Sequence, residues 1–146
     1  DKGEVFYIEV LRGNRALTIA AAIGQRLPAH CTAGGKLFLA HLRSTELDAI
    51  LSRPFASYTS KTITSPDELR KQLVVIRQQG YAIDDGEMEE GVFAVAAPIY
   101  NRQGTMVAAV SVPSPTSRMT PERIPDIVQA LREAAKGISL RMGWRG

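Results

Sequence analysis

The sequence predicts a mixed α/β (α+β) fold, in which antiparallel strands are packed against helices. Three observations support this prediction. Two pairs of β-forming runs are each separated by a turn-like segment, which is typical of antiparallel hairpins. A helix with clear start and stop signals occupies 65–80, between the two pairs. A second amphipathic pattern follows the last strand and predicts a helix near the end of the chain.

Length and composition limit the class of protein. The chain has 146 residues, which predicts one domain spanning 1–146. One cysteine and two histidines form no disulfide framework and no convincing metal cluster, so we expect no metal and no cofactor, and a reducing cytoplasm suits the chain. No apolar run is long enough for a membrane span. The net charge of +3 is not concentrated in a patch, which is weak support for nucleic-acid contact.

The first predicted hairpin occupies the N-terminal part of the chain. The run 4–11 is rich in β-forming residues, and 12–15 has turn character. The run 16–23 is then the expected return strand, although its alanines fit a helix equally well. Because there is no initiating methionine and the strand-like sequence begins almost at once, we expect a piece of a longer protein.

The stretch 24–40 organises the rest of the sequence. It begins polar, passes Pro28 and a run of small residues, and then becomes apolar. Proline disfavours helical backbone at the preceding residue, Leu27. Thr32 is a plausible N-cap, and apolar residues recur after it at roughly helical spacing. A buried helix is therefore predicted to start near Thr32.

The first turn of that helix has almost no side chains. It contains Ala33, Gly34 and Gly35, whose backbone N–H groups lack helical partners and lie at the positive end of the helix dipole. A small anion or carbonyl can approach such a turn closely. The alternative is that the glycines only allow tight helix packing. The turn is not a Walker A loop, because Gly35-Lys36 is followed by Leu37 instead of serine or threonine.

Two further helices are predicted before the next strand. Ser44 offers the cap of the first helix. The segment 54–64 then has many hydroxyls and no clear period, which fits either a lid over a pocket or an ordinary surface loop. Ser65 caps the next helix in a capping box with Glu68, and Gly80 ends that helix in the left-handed position.

An acidic segment at 84–90 follows a short strand at 81–83. Five carboxylates in seven residues suggest a metal, but their order does not fit an EF-hand loop. We interpret the segment as a solvated turn. Asp84 differs from the other acids, because it lies directly at the end of the strand and can point inward.

The second predicted hairpin joins strands at 92–100 and 105–112. Both strands are nearly continuous in apolar residues, so we expect them to be central and covered on both faces. Ser111 is then a hydroxyl within a buried strand, and it is either a ligand-binding group or a satisfied structural serine. The last helix begins near Thr120 and becomes regular at about Pro125. Its predicted apolar face consists of Ile124, Ile127, Val128, Leu131, Ala135, Ile138 and Leu140.

Several landmarks occur together in a specific order. They are Gly24, Leu27-Pro28-x-His30, Gly35-Lys36, Gly80-Tyr81-x-x-Asp84-Asp85-x-Glu87, Gly91-Val92, Ala96-Ala97-Pro98-Ile99, Ala108-Ala109-Val110-Ser111-Val112 and Arg118. In this order and spacing the chain resembles the C-terminal effector-binding domain of the IclR family of bacterial transcription regulators. The resemblance extends from about Gly13 to Ile138.

The resemblance implies a fold, a function and partners. The fold is a GAF-like α/β domain, with a curved, mostly antiparallel sheet, helices around it and a ligand pocket on one face. The implied function is binding of a small-molecule effector, often an organic acid or an aromatic compound, by a homodimer or homotetramer. DNA is contacted only through an N-terminal winged helix-turn-helix domain, which this chain lacks.

The resemblance also implies which residues line the pocket, position by position. They are Ala33 and Gly34 at the helix start, Asp84, Ala94 on the strand floor, Ser111, Pro113, and Ile19 and Leu27 as apolar wall. Two positions depart from the family. Some members have cysteine at the position of Ala94, and many have a small hydroxyl residue at the position of Pro113. Proline has neither a hydroxyl nor an N–H, so a polar ligand contact at those two points must be replaced here.

Two other functions compete with that of a sensor. The domain can serve oligomerisation alone, with a vestigial pocket. It can also be an enzyme that uses Cys31 as nucleophile with His30 or His41 as base. Neighbouring side chains on an extended segment point to opposite faces, which places His30 badly for activating Cys31. We therefore expect a binding module and no catalytic residue.

Overall fold

Five strands and four helices occur in the part of the chain that the structure, a computed structural model, describes, which is residues 3–12 and 21–146. The mixed α/β prediction is confirmed. In chain order the elements are β1 Glu4–Phe6, β2 Arg26–Pro28, α1 Ala33–His41, α2 Ser44–Leu51, α3 Pro66–Gln79, β3 Ala82–Asp85, β4 Val92–Tyr100, β5 Met106–Pro115 and α4 Ile124–Arg141, with a 3₁₀ turn at Thr116–Arg118 before α4. None of these helices is long and apolar enough to cross a bilayer.

The main sheet is antiparallel, in the order β3-β4-β5. β4 lies in the centre and is almost entirely buried, as predicted. The expectation that β5 is also covered on both faces is wrong, because most of its residues are half-buried or exposed and Val107 is 42% exposed. Within the described residues β5 pairs only with β4. Its alanines and valines fit a partly covered strand as well as a central one.

A second sheet consists of β1 and β2, paired antiparallel with Val5 opposite Leu27. The predicted return strand at 16–23 is not the described partner of β1. Most of it, with Ile19, lies outside the described residues, and 21–23 form no strand. The pairing instead continues past β1, where the N–H of Tyr7 donates to Gln25 at 3.1 Å. The regular part of the predicted 4–11 strand is therefore only three residues long.

The helix starts match the predicted positions closely but not always the predicted caps. Thr32 is the N-cap residue of α1, yet its hydroxyl donates to the carbonyl of Pro28 at 2.8 Å and caps no N–H group. The N-cap of α2 is Arg43 rather than Ser44, because the Glu46 side chain accepts from the Arg43 backbone and guanidinium. The Ser65 cap of α3 is confirmed by a hydrogen bond from the N–H of Glu68.

Two hydrophobic cores cover the two faces of the main sheet. Helices α1 and α3 pack on one face, and α4 packs on the other against Phe93, Val95, Ala97 and Ile99. The predicted apolar face of α4 is confirmed at Val128, Leu131 and Ala135. It is wrong at Ile138 and Leu140, which are 39% and 50% exposed. The buried face continues instead through Ser139, whose hydroxyl accepts from Tyr100 N and donates to Ala135 O.

Candidate functional site

Three of the eight predicted pocket residues lie side by side on the main sheet. Asp84, Ala94 and Pro113 are opposite one another on β3, β4 and β5. Ser111 lies two residues before Pro113 and therefore shares its face, because side chains alternate along a strand. Helix α1 crosses this same face, with the position of a Gly34 Cβ only 3.9 Å from the Ala109 Cβ. The structure therefore brings the helix start and the three-strand row together.

The row is only partly covered by the core that packs on it. Ala94 is half-buried although Phe93 and Val95, its neighbours on the central strand, are buried. Strands flank Ala94 on both sides, so its accessible surface faces away from the sheet. Ser111 is also half-buried and Pro113 is exposed. This part of the sheet face is therefore partly accessible at Ala94, Ser111 and Pro113, and buried at Asp84.

The two glycines in the first turn of α1 differ in their surroundings. A Cβ on Gly35 would lie 2.3 Å from the Cα of Ala29, so Gly35 is required for close packing. Gly34 is half-buried and has only ordinary contacts. Because the Thr32 hydroxyl is committed to Pro28, no side chain caps the first turn. The N–H groups at the start of α1 therefore have no acceptor in the N-cap side chain.

The structure does not test the predicted role of the two apolar wall residues. Leu27 is half-buried on β2, in the smaller sheet, and Ile19 lies outside the described residues. Their roles remain predictions from the family resemblance.

A buried ion pair next to the floor was missed from the sequence. Lys36 is completely buried on α1, and its Nζ donates to Oε1 of Glu87, which is 7% exposed. The prediction that 84–90 is a solvated turn is therefore wrong for Glu87, although it holds for Asp85 and Glu89. Burying a lysine requires an acidic partner, so Lys36 within an apolar helix was the available signal.

Asp84 points inward, as predicted, and is 4% exposed. One carboxylate oxygen accepts from the N–H of Glu87 at 2.8 Å. Burial, with a smaller contribution from the charge of Glu87, raises the pKa of Asp84 to about 6 against the opposing effects of backbone hydrogen bonds and Lys36. This carboxyl therefore exchanges its proton close to neutral pH.

The chemistry around Cys31 does not favour a thiol nucleophile. Its thiol is fully buried and donates to the Met88 sulfur at 3.6 Å. Burial, with Asp84 and Glu87 nearby, raises the pKa of Cys31 to about 12, so the thiolate is strongly disfavoured. The Nε2 of His30 bonds to the Ala56 carbonyl, and His41 bonds to Leu37 O and Tyr100 Oη. Among the described residues, no three His, Cys, Asp or Glu side chains are placed to hold a metal.

The segment 54–64 is attached to the turn that carries Glu87. The hydroxyl of Thr59 donates to Gly86 O, and that of Thr62 donates to Glu87 O, each at 2.6 Å. Lys61 forms an ion pair with Asp85 at 3.1 Å. On its other side the segment borders a hollow of about 150 Å³, lined by Gly3, His30, Ile50, Arg53, Pro54, Phe55, Ala56 and Tyr58. None of the predicted pocket residues lines that hollow.

Comparison with known proteins gives a consistent family. The profile described as "Bacterial transcriptional regulator IclR C-terminal" matches residues 1–140. The chain is 36% identical to the HTH-type transcriptional regulator XynR of Escherichia coli over 99% of its own length and 58% of the relative's. It is 38% identical to the regulator KdgR of Dickeya chrysanthemi, over 99% of this chain and 48% of KdgR. The chain thus spans about half the length of these relatives.

Solved structures agree with the sequence comparisons. The Thermotoga maritima IclR structure superposes with a TM-score of 0.91 at 33% identity, covering 99% of this chain and 59% of that one. A double mutant of the inducer-binding domain of the transcription factor PobR from Acinetobacter, in complex with 3-hydroxybenzoic acid, superposes with a TM-score of 0.85 at 31% identity. That match covers 95% of this chain and 83% of the PobR domain. The predicted GAF-like architecture is confirmed by this similarity.

Proposed function

Because this chain belongs to the family of IclR C-terminal domains of bacterial transcriptional regulators, we propose that it is the effector-binding and oligomerisation domain of such a regulator. One observation carries the proposal. The row from Asp84 to Pro113, buried at Asp84 and partly accessible at Ala94 and Pro113, lies on the sheet face crossed by α1, whose first turn has no side-chain cap. This combination of a partly open floor and an uncapped helix start supports a ligand-binding role.

The proposed ligand is a small, partly apolar organic acid. Its carboxylate lies at the Ala33–Gly34 turn, because N–H donors and the helix dipole both favour negative charge there, by up to ~1 kcal/mol each. Ala94 and Pro113 offer no polar side-chain atom, so methylene or ring carbon lies over them.

Polar groups at the far end of the ligand meet Asp84 and Ser111. An ionised Asp84 repels a carboxylate but accepts a hydrogen bond from a hydroxyl. Ser111 both donates and accepts, and it bridges the two ends of the ligand. A hydroxylated aromatic acid has all of these features, and 3-hydroxybenzoic acid in the PobR complex is one such compound. We therefore choose it as the first probe.

Calorimetric titration tests this assignment with 3-hydroxybenzoate, and benzoate serves as the matched ligand without the hydroxyl. Gly34→Val is expected to abolish binding, because its branched side chain obstructs the donors in the space between Gly34 and Ala109. Gly137→Val is its control, since a Cβ there meets nothing within 4 Å. Ser111→Ala is expected to weaken binding by ~1–3 kcal/mol. If Gly34→Val and Ser111→Ala fold and bind like the parent, the ligand lies elsewhere.

The oligomeric and DNA-binding roles are part of the same proposal. We propose a homodimer or homotetramer that contacts DNA through a separate helix-turn-helix domain. The main alternative is an oligomerisation domain with a vestigial pocket. A thermal-shift screen of small metabolites separates the two, because a ligand at a hundredfold excess over its Kd stabilises the folded chain by ~2.7 kcal/mol. The absence of any shift across organic and aromatic acids would favour the alternative.

A further inference from the structure

Glu87 lies buried between Lys36 and Asp84, and we propose that it sets the charge of the proposed pocket, so that a carboxylate ligand binds together with one proton on Asp84. This inference rests on the function proposed above. It adds a role for Glu87, which is not among the predicted pocket residues, and it specifies the protonation state in which the pocket accepts an acid.

The charges in the buried cluster do not balance. Lys36 from α1 contributes one positive charge, whereas Glu87 and Asp84 contribute two negative charges when both are ionised. Two other titratable groups interact with Asp84, namely Cys31 before α1 and Tyr7 after β1. Both are neutral near pH 7, because burial and Asp84 raise the pKa of each. The ionised cluster therefore carries a net charge of −1.

Lys36 is committed to Glu87 rather than to Asp84. Its Nζ donates to Oε1 of Glu87, and the backbone N–H of Glu87 holds the Asp84 carboxylate at 2.8 Å. The other oxygen of Glu87, Oε2, is buried and has no hydrogen-bond partner among the described residues. Within the described residues no lysine or arginine forms an ion pair with Asp84, although the charge of Lys36 acts on it from a distance.

A bound carboxylate adds another negative charge to the same region. The Ala33–Gly34 turn is one helical turn before Lys36 on α1, so a carboxylate there lies near the cluster. Repulsion is removed if Asp84 takes one proton from solvent when the ligand binds and returns it when the ligand leaves. The neutral carboxyl then also offers an O–H donor to the ligand.

The protonation properties of Asp84 agree with this geometry. Burial is the largest cause that raises the pKa of Asp84 to about 6, and the charge of Glu87 adds to it. With that pKa in the free protein, the protonated fraction of Asp84 falls roughly 80-fold between pH 5.5 and pH 8. The affinity for an ionised acid that binds together with this proton falls by the same factor. Below pH 5.5 the affinity is almost independent of pH.

The experiment is titration of the whole chain with 3-hydroxybenzoate at pH 5.5, 6.5 and 8, each in two buffers with different ionisation enthalpies. For the parent we expect uptake of close to one proton per ligand at pH 8 and the fall in affinity given above. Asp84→Asn cannot take up this proton, so its affinity is expected to be nearly constant over the range. Asp85→Asn is the matched control, because Asp85 is exposed and paired with Lys61. It is expected to follow the parent.

Glu87→Gln distinguishes charge setting from structural support. The amide keeps a hydrogen-bond acceptor for Lys36 but removes one negative charge. With one negative charge fewer beside it, Asp84 loses its proton at lower pH, so we expect the pH transition in affinity to be displaced to lower pH than in the parent. A folded Glu87→Gln protein whose affinity changes at the same pH as the parent's would overturn the inference, because it shows that Glu87 does not set the charge of the cluster.

The remaining outcomes separate the inference from the proposed function. Equal affinity of the parent at pH 5.5 and 8 refutes the inference and leaves the proposed function intact. Proton uptake by Asp84→Asn equal to that of the parent also refutes the inference and leaves the proposed function intact. This measurement does not depend on whether Glu87→Gln folds. If the parent shows no saturable binding at pH 5.5, both the inference and the proposed function are refuted with aromatic hydroxy acids as ligands.

Discussion

Replacing Asp84 with asparagine is expected to remove a specific pH dependence of stability. Burial raises the pKa of Asp84 from its usual 3.8 to about 6 in the folded protein. The folded state holds this proton more tightly than the unfolded state. Protonation of Asp84 therefore contributes fully to the free energy of unfolding below about pH 4, and this contribution is lost as the pH rises through about 6. At 1.36 kcal/mol per pKa unit, the unfolding free energy loses about 3 kcal/mol from this group.

Urea denaturation at pH 4.5, 5.5, 6.5 and 7.5 measures the effect as the difference between Asp84→Asn and the parent. Other groups titrate in both proteins and largely cancel in that difference. Asparagine retains an oxygen that accepts from the Glu87 N–H, so the fold is expected to persist. The variant should gain stability relative to the parent as the pH rises, and the exposed Asp85→Asn control should gain little. A difference that is constant between pH 4.5 and 7.5 would refute the reasoning.

The remaining predictions concern packing, capping and partners. Gly35→Ala should destabilise the chain by about 1–3 kcal/mol, because its Cβ overlaps the Ala29 backbone, whereas Gly34→Ala should be tolerated. The denaturation midpoints of the two variants in urea measure this difference. Ser65→Ala should cost ~1 kcal/mol without changing ligand affinity, since it removes the cap of a surface helix, and an unchanged midpoint would contradict this. Light scattering at tens of micromolar should give at least a dimeric mass, and a monomeric mass counts against self-association of this chain. The chain alone should not retard operator DNA sequence-selectively at physiological salt, whereas weak retardation that added salt abolishes is compatible with this expectation.

Elements with strong local signals were predicted well from the sequence. The helix after Ser65 ends at Gly80 with φ of 75°, and β4 has the predicted bounds Val92–Tyr100. Each is determined by residues close together in the chain, namely a cap, a left-handed glycine and a continuous apolar run. The inward orientation of Asp84 was also predicted, although the structure places Asp84 within β3 and not directly after the strand as expected.

Features that depend on distant residues were not predictable in the same way. Lys36 and Glu87 are 51 residues apart, so only the fold reveals that a lysine on α1 needs the acid from the turn. The prediction that Thr32 caps α1 is wrong for a similar reason, because the Thr32 hydroxyl donates to the carbonyl of Pro28 and does not accept from an N–H group of the helix. At the edge of the main sheet, exposure of β5 depends on which strands lie beside it, and the apolar pattern alone does not contain that information.

The hydrogen bonds of Thr59 and Thr62 join the acidic turn to the segment before α3. Thr62 bonds to the carbonyl of Glu87, and it lies three residues before Ser65, where α3 is capped. The Thr62 hydroxyl also accepts from the N–H groups of Tyr58 and Thr59, so a single hydroxyl joins this stretch of backbone to the acidic turn. The buried Lys36–Glu87 pair is therefore linked through one hydroxyl to the segment that leads into the capped start of α3.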